Sequence, residues 1–329
     1  MLAAMIFRMR ALALICAALA ATASQAARAQ DHPARPIRLL VGFTAGGTTD
    51  LVARIVAEPL RRELKQNVIV ENRPGASGAI AAEYAAKSEP DGTTLLFATV
   101  GAAAINPALR SNLAYDPIKD FAPVGLAVRN TTMLVVRATM PVDSARGLAA
   151  LARERPGAVT MGITGSGSIS HLALELYAAA AGVQFQAVPY RGASQAITDV
   201  LAGQLDGLFA DVPTFISQAQ AGKLRPLAAA SQERSGIFPA VATLLEQGYV
   251  DTFANQWAGI LSPAHTPAPA IEKISGGLDA ALSDPQVRGK LEQVGVIASP
   301  SSPAEFAALL QAEIARWSRV IREKGIRGD

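Results

Sequence analysis

Apolar and polar positions along this chain switch repeatedly between two periods. Residues 37–41 form a near-continuous apolar run, which predicts a strand. Directly after it, Leu51, Val52, Ile55, Val56 and Leu60 recur at helical spacing and predict a helix over residues 50–64. Pro59 falls inside that helix and predicts a kink. Further strands are predicted over residues 68–70, 94–98, 121–128, 132–136, 160–163, 185–190, 207–210, 227–230 and 255–261. Helices are predicted over residues 78–87, 144–154 and 170–181, and again after residues 191–194 and 211–214. The last helix has the clearest start, because Ser302, Pro303 and Glu305 supply a cap, a first-position proline and a third-position acid. Phe306, Leu309, Leu310, Ile314, Trp317, Val320 and Ile321 then give it one apolar stripe. This alternation of strand and helix predicts an α/β fold.

The strands end in small, polar, Gly-containing loops. The first loop runs Gly42-Phe43-Thr44-Ala45-Gly46-Gly47-Thr48-Thr49-Asp50. Glycine lets the backbone turn sharply and approach a ligand. The helix after it begins with unpaired N–H groups at a positive dipole end. Strand, glycine turn and helix start together read either as an ordinary tight βα turn or as an anion site that needs no charged side chain. Asp50 sits where a carboxylate favours the helix start. The loop is neither a phosphate P-loop nor a dinucleotide fingerprint, because it lacks both the Gly-Lys-Ser/Thr and the G-x-G-x-x-G pattern. Thr99 to Ala102 is a further small-residue loop at a strand end, and Thr164 to Ser168 repeats the strand, glycine loop, helix arrangement. In open α/β sheets, ligands bind at the carboxyl ends of strands.

Composition changes the picture at the amino terminus. Arg8 and Arg10, the apolar run 11–21 and Ala27-Arg28-Ala29 read as a secretory signal peptide over residues 1–29. Cleavage is expected after Ala29, with Ala26 as second choice, so the mature chain begins near Gln30. Cys16 is the only cysteine, and Ala13-Leu14-Ile15-Cys16 makes a poor lipobox. Cleavage then leaves no disulfide and no thiolate metal site. Removing the signal's three arginines from the chain's 30 basic residues leaves them matched to its 27 acidic ones. A charge near zero argues against nucleic-acid binding. A soluble, exported, periplasmic protein is expected.

Candidate catalytic groups are sparse. His32, His171 and His265 lie far apart with no His-x-x-x-His spacing, so no zinc site is expected. No Gly-x-Ser-x-Gly elbow occurs. His171 lies one helical turn past Ser168, where it could serve Ser166 or Ser168 as a base, or simply fix the loop. That pairing keeps a secreted serine hydrolase open as an alternative.

Several motifs together resemble one family. Residues 42–50 resemble its F-x-P-G-G-x-x-D loop, and Glu71-Asn72-Arg73-Pro74-Gly75-Ala76-Ser77-Gly78 its E-N-R-x-G-A-x-G loop. Residues 165–172, Val188-Pro189-Tyr190-Arg191-Gly192 and Trp257-Ala258-Gly259 match further segments. The family is the Bug-type substrate-binding receptors of tripartite tricarboxylate transporters. Ala45 stands where it usually has proline, and His265 where it usually has glycine. The resemblance implies a two-lobed, type II-like periplasmic binding fold. Each lobe is a mixed β-sheet flanked by helices, with the ligand cleft between lobes. Residues 31–128 and 254–329 are expected in lobe 1 and 129–253 in lobe 2. It implies a non-enzymatic receptor, a monomer without cofactor. Its ligand is a small di- or tricarboxylate, acidic amino acid or aromatic acid, and its partner a membrane permease. A sensory co-receptor working with a sensor kinase is the variant on the same fold.

The expected ligand residues are Phe43, Ala45, Gly46, Gly47, Thr48, Asp50, Thr99 and Ala102 from the first lobe. From the second come Thr164, Gly165, Ser166, Gly167, Ser168, His171, Tyr190 and Asp211. The first glycine loop contains no arginine, and Arg73 and Arg191 lie in other motifs. The backbone N–H groups of Ala45 to Thr48 are therefore expected to hold a carboxylate, with ordered water. Ser166 or Ser168 is expected to face it with a hydroxyl.

Overall fold

A computed structural model describes residues 35–110, 112–165, 167–190 and 192–326. The expected signal peptide with Cys16, the mature start at Gln30, and residues Ser166 and Arg191 lie outside the described residues.

Strand β1 (Ile37–Val41) enters the first loop and leads to helix α1 (Thr48–Leu64). Gly47, extended at φ −80°, is the N-cap, so α1 starts two residues before the expected point. It runs uninterrupted through the buried Pro59 and closes on Lys65 in the left-handed region. Strands β2 (Val68–Asn72) and β3 (Thr94–Thr99) pair with β1 in parallel, with α2 (Ala79–Ala86) between them. After β3 the chain makes a π-helical turn, Gly101–Ile105, and the short α3 (Asn106–Leu109).

Strand β4 (Phe121–Asn130) ends one residue before β5 (Thr132–Arg137) begins. That single residue, Thr131, carries the chain from one sheet to another. The second sheet follows with α4 (Ala145–Glu154), β6 (Thr160–Ile163), α5 (Ile169–Ala181), β7 (Gln186–Pro189) and α6 (Ala193–Leu201). It is completed by β8 (Gly207–Asp211), α7 (Val212–Gln220) and β9 (Leu224–Ala229). The chain then returns through β10 (Gln256–Pro263), α8 (Ala268–Ser283), α9 (Pro285–Gln293), β11 (Val296–Ala298) and α10 (Pro303–Lys324).

The strand orders are β11-β4-β10-β3-β1-β2 and β7-β6-β8-β5-β9. Both sheets are mixed: β10 runs antiparallel to β3 and β4, and β5 antiparallel to β8 and β9. Alternate residues bury on opposite faces, as the pleat requires. Leu39, Val41, Leu95 and Phe97 pack with Leu60 and Leu278, whereas Leu40, Leu96 and Ala98 join Trp257, Phe306 and Trp317 on the other face. In the second sheet Met133 and Val135 pack with Phe215, and Leu134 and Val136 with Leu172 and Tyr177. The result is two mixed sheets flanked by helices, the bilobed α/β architecture of type II periplasmic binding proteins. The α10 capping box forms as expected: Ser302 Oγ accepts from the Glu305 N–H, and the Glu305 carboxylate accepts from the Ser302 N–H at 2.8 Å. No described helix is long and apolar enough to cross a membrane.

Candidate functional site

A cavity of about 350 Å³ opens between the two sheets at their strand-end loops. From the first sheet it is lined by Phe43, Thr44, Gly47, Thr48 and Thr49, and by Gln256 at the start of β10. From the second come Thr132, Thr164, Ile169, Ser170, Phe209, Ala210, Asp211 and Thr214, with residues 192–195. Four helices, α1, α5, α6 and α7, begin at this cavity, each contributing a residue of its cap or first turn. Each start carries unpaired N–H groups and the positive end of a helix dipole. Asp211 is the only charged side chain among the described lining residues. A larger depression of about 750 Å³ lies elsewhere, lined by Arg35, Arg38, Tyr84 and Thr94 around the amino-terminal ends of β1 and β3.

The first loop divides its residues between the ligand space and its own support. Phe43, Gly47 and Thr48 line the cavity, but Ala45 and Gly46 are exposed and do not. The Gly46 N–H donates to Asp50 Oδ2 at 2.9 Å, so this backbone donor is used inside the loop. Asp50 is buried and also accepts from Arg54 Nε at 3.0 Å and Asn72 Nδ2 at 2.9 Å. Burial pushes its carboxyl up, but these bonds outweigh burial and hold it below the usual carboxylate range. Asp50 thus braces the loop and is not among the residues lining the cavity. A Cβ on Gly47 would meet only the Thr44 carbonyl, at 3.3 Å, and its φ of −80° is open to any residue. Thr99 and Ala102 are buried behind the lining, and the Ala102 carbonyl accepts from Tyr115 Oη at 2.5 Å.

In the second sheet, Thr164 lines the cavity and its N–H donates to Ser170 Oγ at 2.8 Å. Gly165 and Gly167 take the left-handed backbone at φ +94° and +76° that lets this loop turn. Ser168 caps α5 by accepting the His171 N–H at 3.3 Å, and lies 2.9 Å from Ser170 Oγ. His171 Nδ1 accepts from the Gly167 N–H at 3.1 Å, and its Nε2 lies 3.7 Å from Glu175. Ser168 and His171 therefore meet through the backbone of a helix cap. Tyr190 donates its hydroxyl to Asp199 at 2.6 Å, which pushes it up to about 12, and it lies outside the lining. Arg73 pairs with Glu71 at 2.6 Å, lies 3.5 Å from the Tyr84 ring centre and borders the outer depression.

Sequence reading missed Thr44, Thr49, Thr132, Ser170, Ser194, Gln195, Thr214 and Gln256. Thr132 and Gln256 are polar residues opening apolar strands, which was the available signal. Thr48 Oγ1 and Gln256 Oε1 are buried without a partner, on side chains that line the cavity. Orphaned buried groups of this kind call for a ligand or water.

Asp211 accepts from Thr132 Oγ1 at 2.9 Å. Burial raises its carboxyl from 3.8 to about 6, against the Thr132 bond and the nearby Asn130 amide. Because the folded value lies above the unfolded one, ionised Asp211 destabilises the fold and protonation relieves it. Its contribution is most favourable below about 3.8 and is lost as pH rises through about 6. Asp211→Asn is expected to raise stability near neutral pH by about 1–3 kcal/mol. That gain should shrink as pH falls toward 4; thermal melts of both proteins across this range check it, and a gain independent of pH would refute it.

The chain matches the family model "Tripartite tricarboxylate transporter family receptor" over residues 52–326. It is 34% identical over 298 residues to Protein BugT of Bordetella pertussis, covering 90% of this chain and 91% of that one. Among solved structures it resembles the periplasmic binding protein BugD, with a TM-score of 0.85, 30% identity and coverage of 91% and 100% of the two chains. It also resembles Rpa4515 of R. palustris, solved with adipate, at 0.86, 33%, 91% and 100%. A third is MatC of Rhodopseudomonas palustris, solved with malate, at 0.82, 30%, 88% and 99%. Family members are non-catalytic periplasmic solute receptors. The chain belongs to the tripartite tricarboxylate transporter receptor family.

Proposed function

We propose that this receptor captures a small organic di- or tricarboxylate in the cavity between its sheets and delivers it to a membrane permease. The observation carrying this reading is the convergence of four helix N-termini on one hydroxyl-lined cavity. Such an arrangement attracts an anion through backbone dipoles. Relatives solved with adipate and malate support the ligand class.

In this reading the N–H groups of Thr48 and Thr49 and the orphaned Thr48 hydroxyl hold one carboxylate. Thr164, Ser170 and Ser194 face it from the other side. The lobes are residues 31–128 with 254–329, and 129–253, and they close about the crossings at Thr131 and Asn255. The working unit is a monomer exported by cleavage of residues 1–29.

The test is a thermal-shift screen against linear dicarboxylates and citrate, with neutral sugars as controls. A ligand at about 100 times its Kd should stabilise the fold by roughly 2.7 kcal/mol. A shift with sugars and none with any acid would sink the proposal.

A further inference from the structure

We infer that this cavity selects carboxylates bearing a hydroxyl or protonated amine beside one carboxylate, and that Asp211 is the residue that reads this donor. The inference rests on the receptor reading above and names the ligand's substituent.

Asp211 occupies the N-cap of α7, where an aspartate normally accepts a first-turn N–H. Here its side chain makes no capping bond. Pro213 removes one of the N–H groups, and Thr214 Oγ1 donates instead to the Asp211 carbonyl at 2.6 Å. The carboxylate turns to Thr132 and the cavity. A carboxylate offers about four acceptor positions, and Thr132 fills one of them. The Asn130 amide lies beside the carboxylate and favours its charged form, without a hydrogen bond of normal geometry.

A second acceptor stands beside it. Gln256 lines the same cavity, and its Oε1 is buried without a partner. Strand register explains the juxtaposition: Gln256 pairs with Asn130, Thr132 pairs with Asp211, and only Thr131 separates the two pairs. The crossing between sheets therefore builds one acceptor wall in a cavity otherwise lined by hydroxyls, helix starts and the apolar Phe43, Phe209 and Ala210. A plain carboxylate laid against that wall meets like charge and leaves the acceptors unsatisfied. An O–H or N⁺–H group satisfies them.

The experiment is calorimetric titration of the purified receptor with succinate, malate and aspartate, which share a carbon chain and two carboxylates. The expected result is malate or aspartate binding at least about tenfold tighter than succinate. Asp211→Asn should bring all three within roughly threefold of one another. Thr132→Val, which frees the carboxylate from its anchor, should narrow the preference without inverting it. Glutarate, 2-hydroxyglutarate and glutamate repeat the comparison one carbon longer. Equal binding of the three by the wild type overturns the inference while leaving the receptor reading intact, as does a preference that survives in Asp211→Asn. Should Asp211→Asn fail to fold, the wild-type comparison and Thr132→Val still decide. Binding of no acid in either series defeats both readings.

Discussion

Gly42→Ala is expected to lower the midpoint of thermal unfolding by roughly 5 °C and to remove ligand binding. A Cβ on Gly42 would overlap the Gly78 Cα and sit 3.2 Å from the Gly78 carbonyl oxygen. Those are backbone atoms, so no side chain can swing aside. Gly78 is itself at φ +92°, and a Cβ on it would lie 3.1 Å from the Ala102 side chain. The first and second glycine loops and the π-helical turn are thus stacked through glycine contacts, and separating one moves the others. Overpacking of this kind costs about 3 kcal/mol, and at about 2.1 cal/mol/K per residue each kcal/mol is worth about 1.5 °C in a chain of roughly 300 residues. Gly289→Ala in α9 is the control, because a Cβ there meets nothing. It should stabilise slightly by favouring the helix. Equal melting of Gly42→Ala and wild type would refute the stacking.

Phe306→Ala should cost about 3–5 kcal/mol, measured by urea unfolding. Phe306 is fully buried, and its ring lies edge-on to Trp257 at 5.6 Å between centroids. Its place is also marked on the strand opposite. A Cβ on Gly259 would overlap the tip of the Phe306 ring and lie 2.8 Å from its Cε1. Gly259→Ala should therefore be strongly destabilising in the wild type and less so beside Phe306→Ala, which removes the ring. The double-mutant cycle isolates that coupling. Additive costs would mean that the Gly125 carbonyl, 2.9 Å from the same Cβ, sets the constraint instead.

The elements were legible because both sheets bury alternate residues on two covered faces, so apolar runs such as residues 37–41 stand out from their flanks. The α10 start was legible in full, since a capping box is local. The start of α1 was not, because Gly47 serves as N-cap without a side chain to announce it. Site residues divide along the same line. Phe43, Gly47, Thr48 and Thr164 lie on loops whose composition already pointed to a ligand, and they line the cavity. Asp50 and Tyr190 looked equally suited, yet Arg54, Asn72 and Asp199 engage them through contacts visible only after folding. Thr132 and Gln256 were marked only as polar residues opening apolar strands, because their meeting at one cavity arises where two distant chain crossings come together.

Four helix starts around one cavity also bear on how such a receptor changes its cargo. On the proposed reading, attraction for the acid is written into peptide groups, which side-chain replacements other than proline leave in place as long as the loops keep their shape. Side chains at the rim can then drift through successive replacements while the protein keeps its hold on acids as a class. A duplicated copy can acquire a new diet without passing through a form that binds nothing.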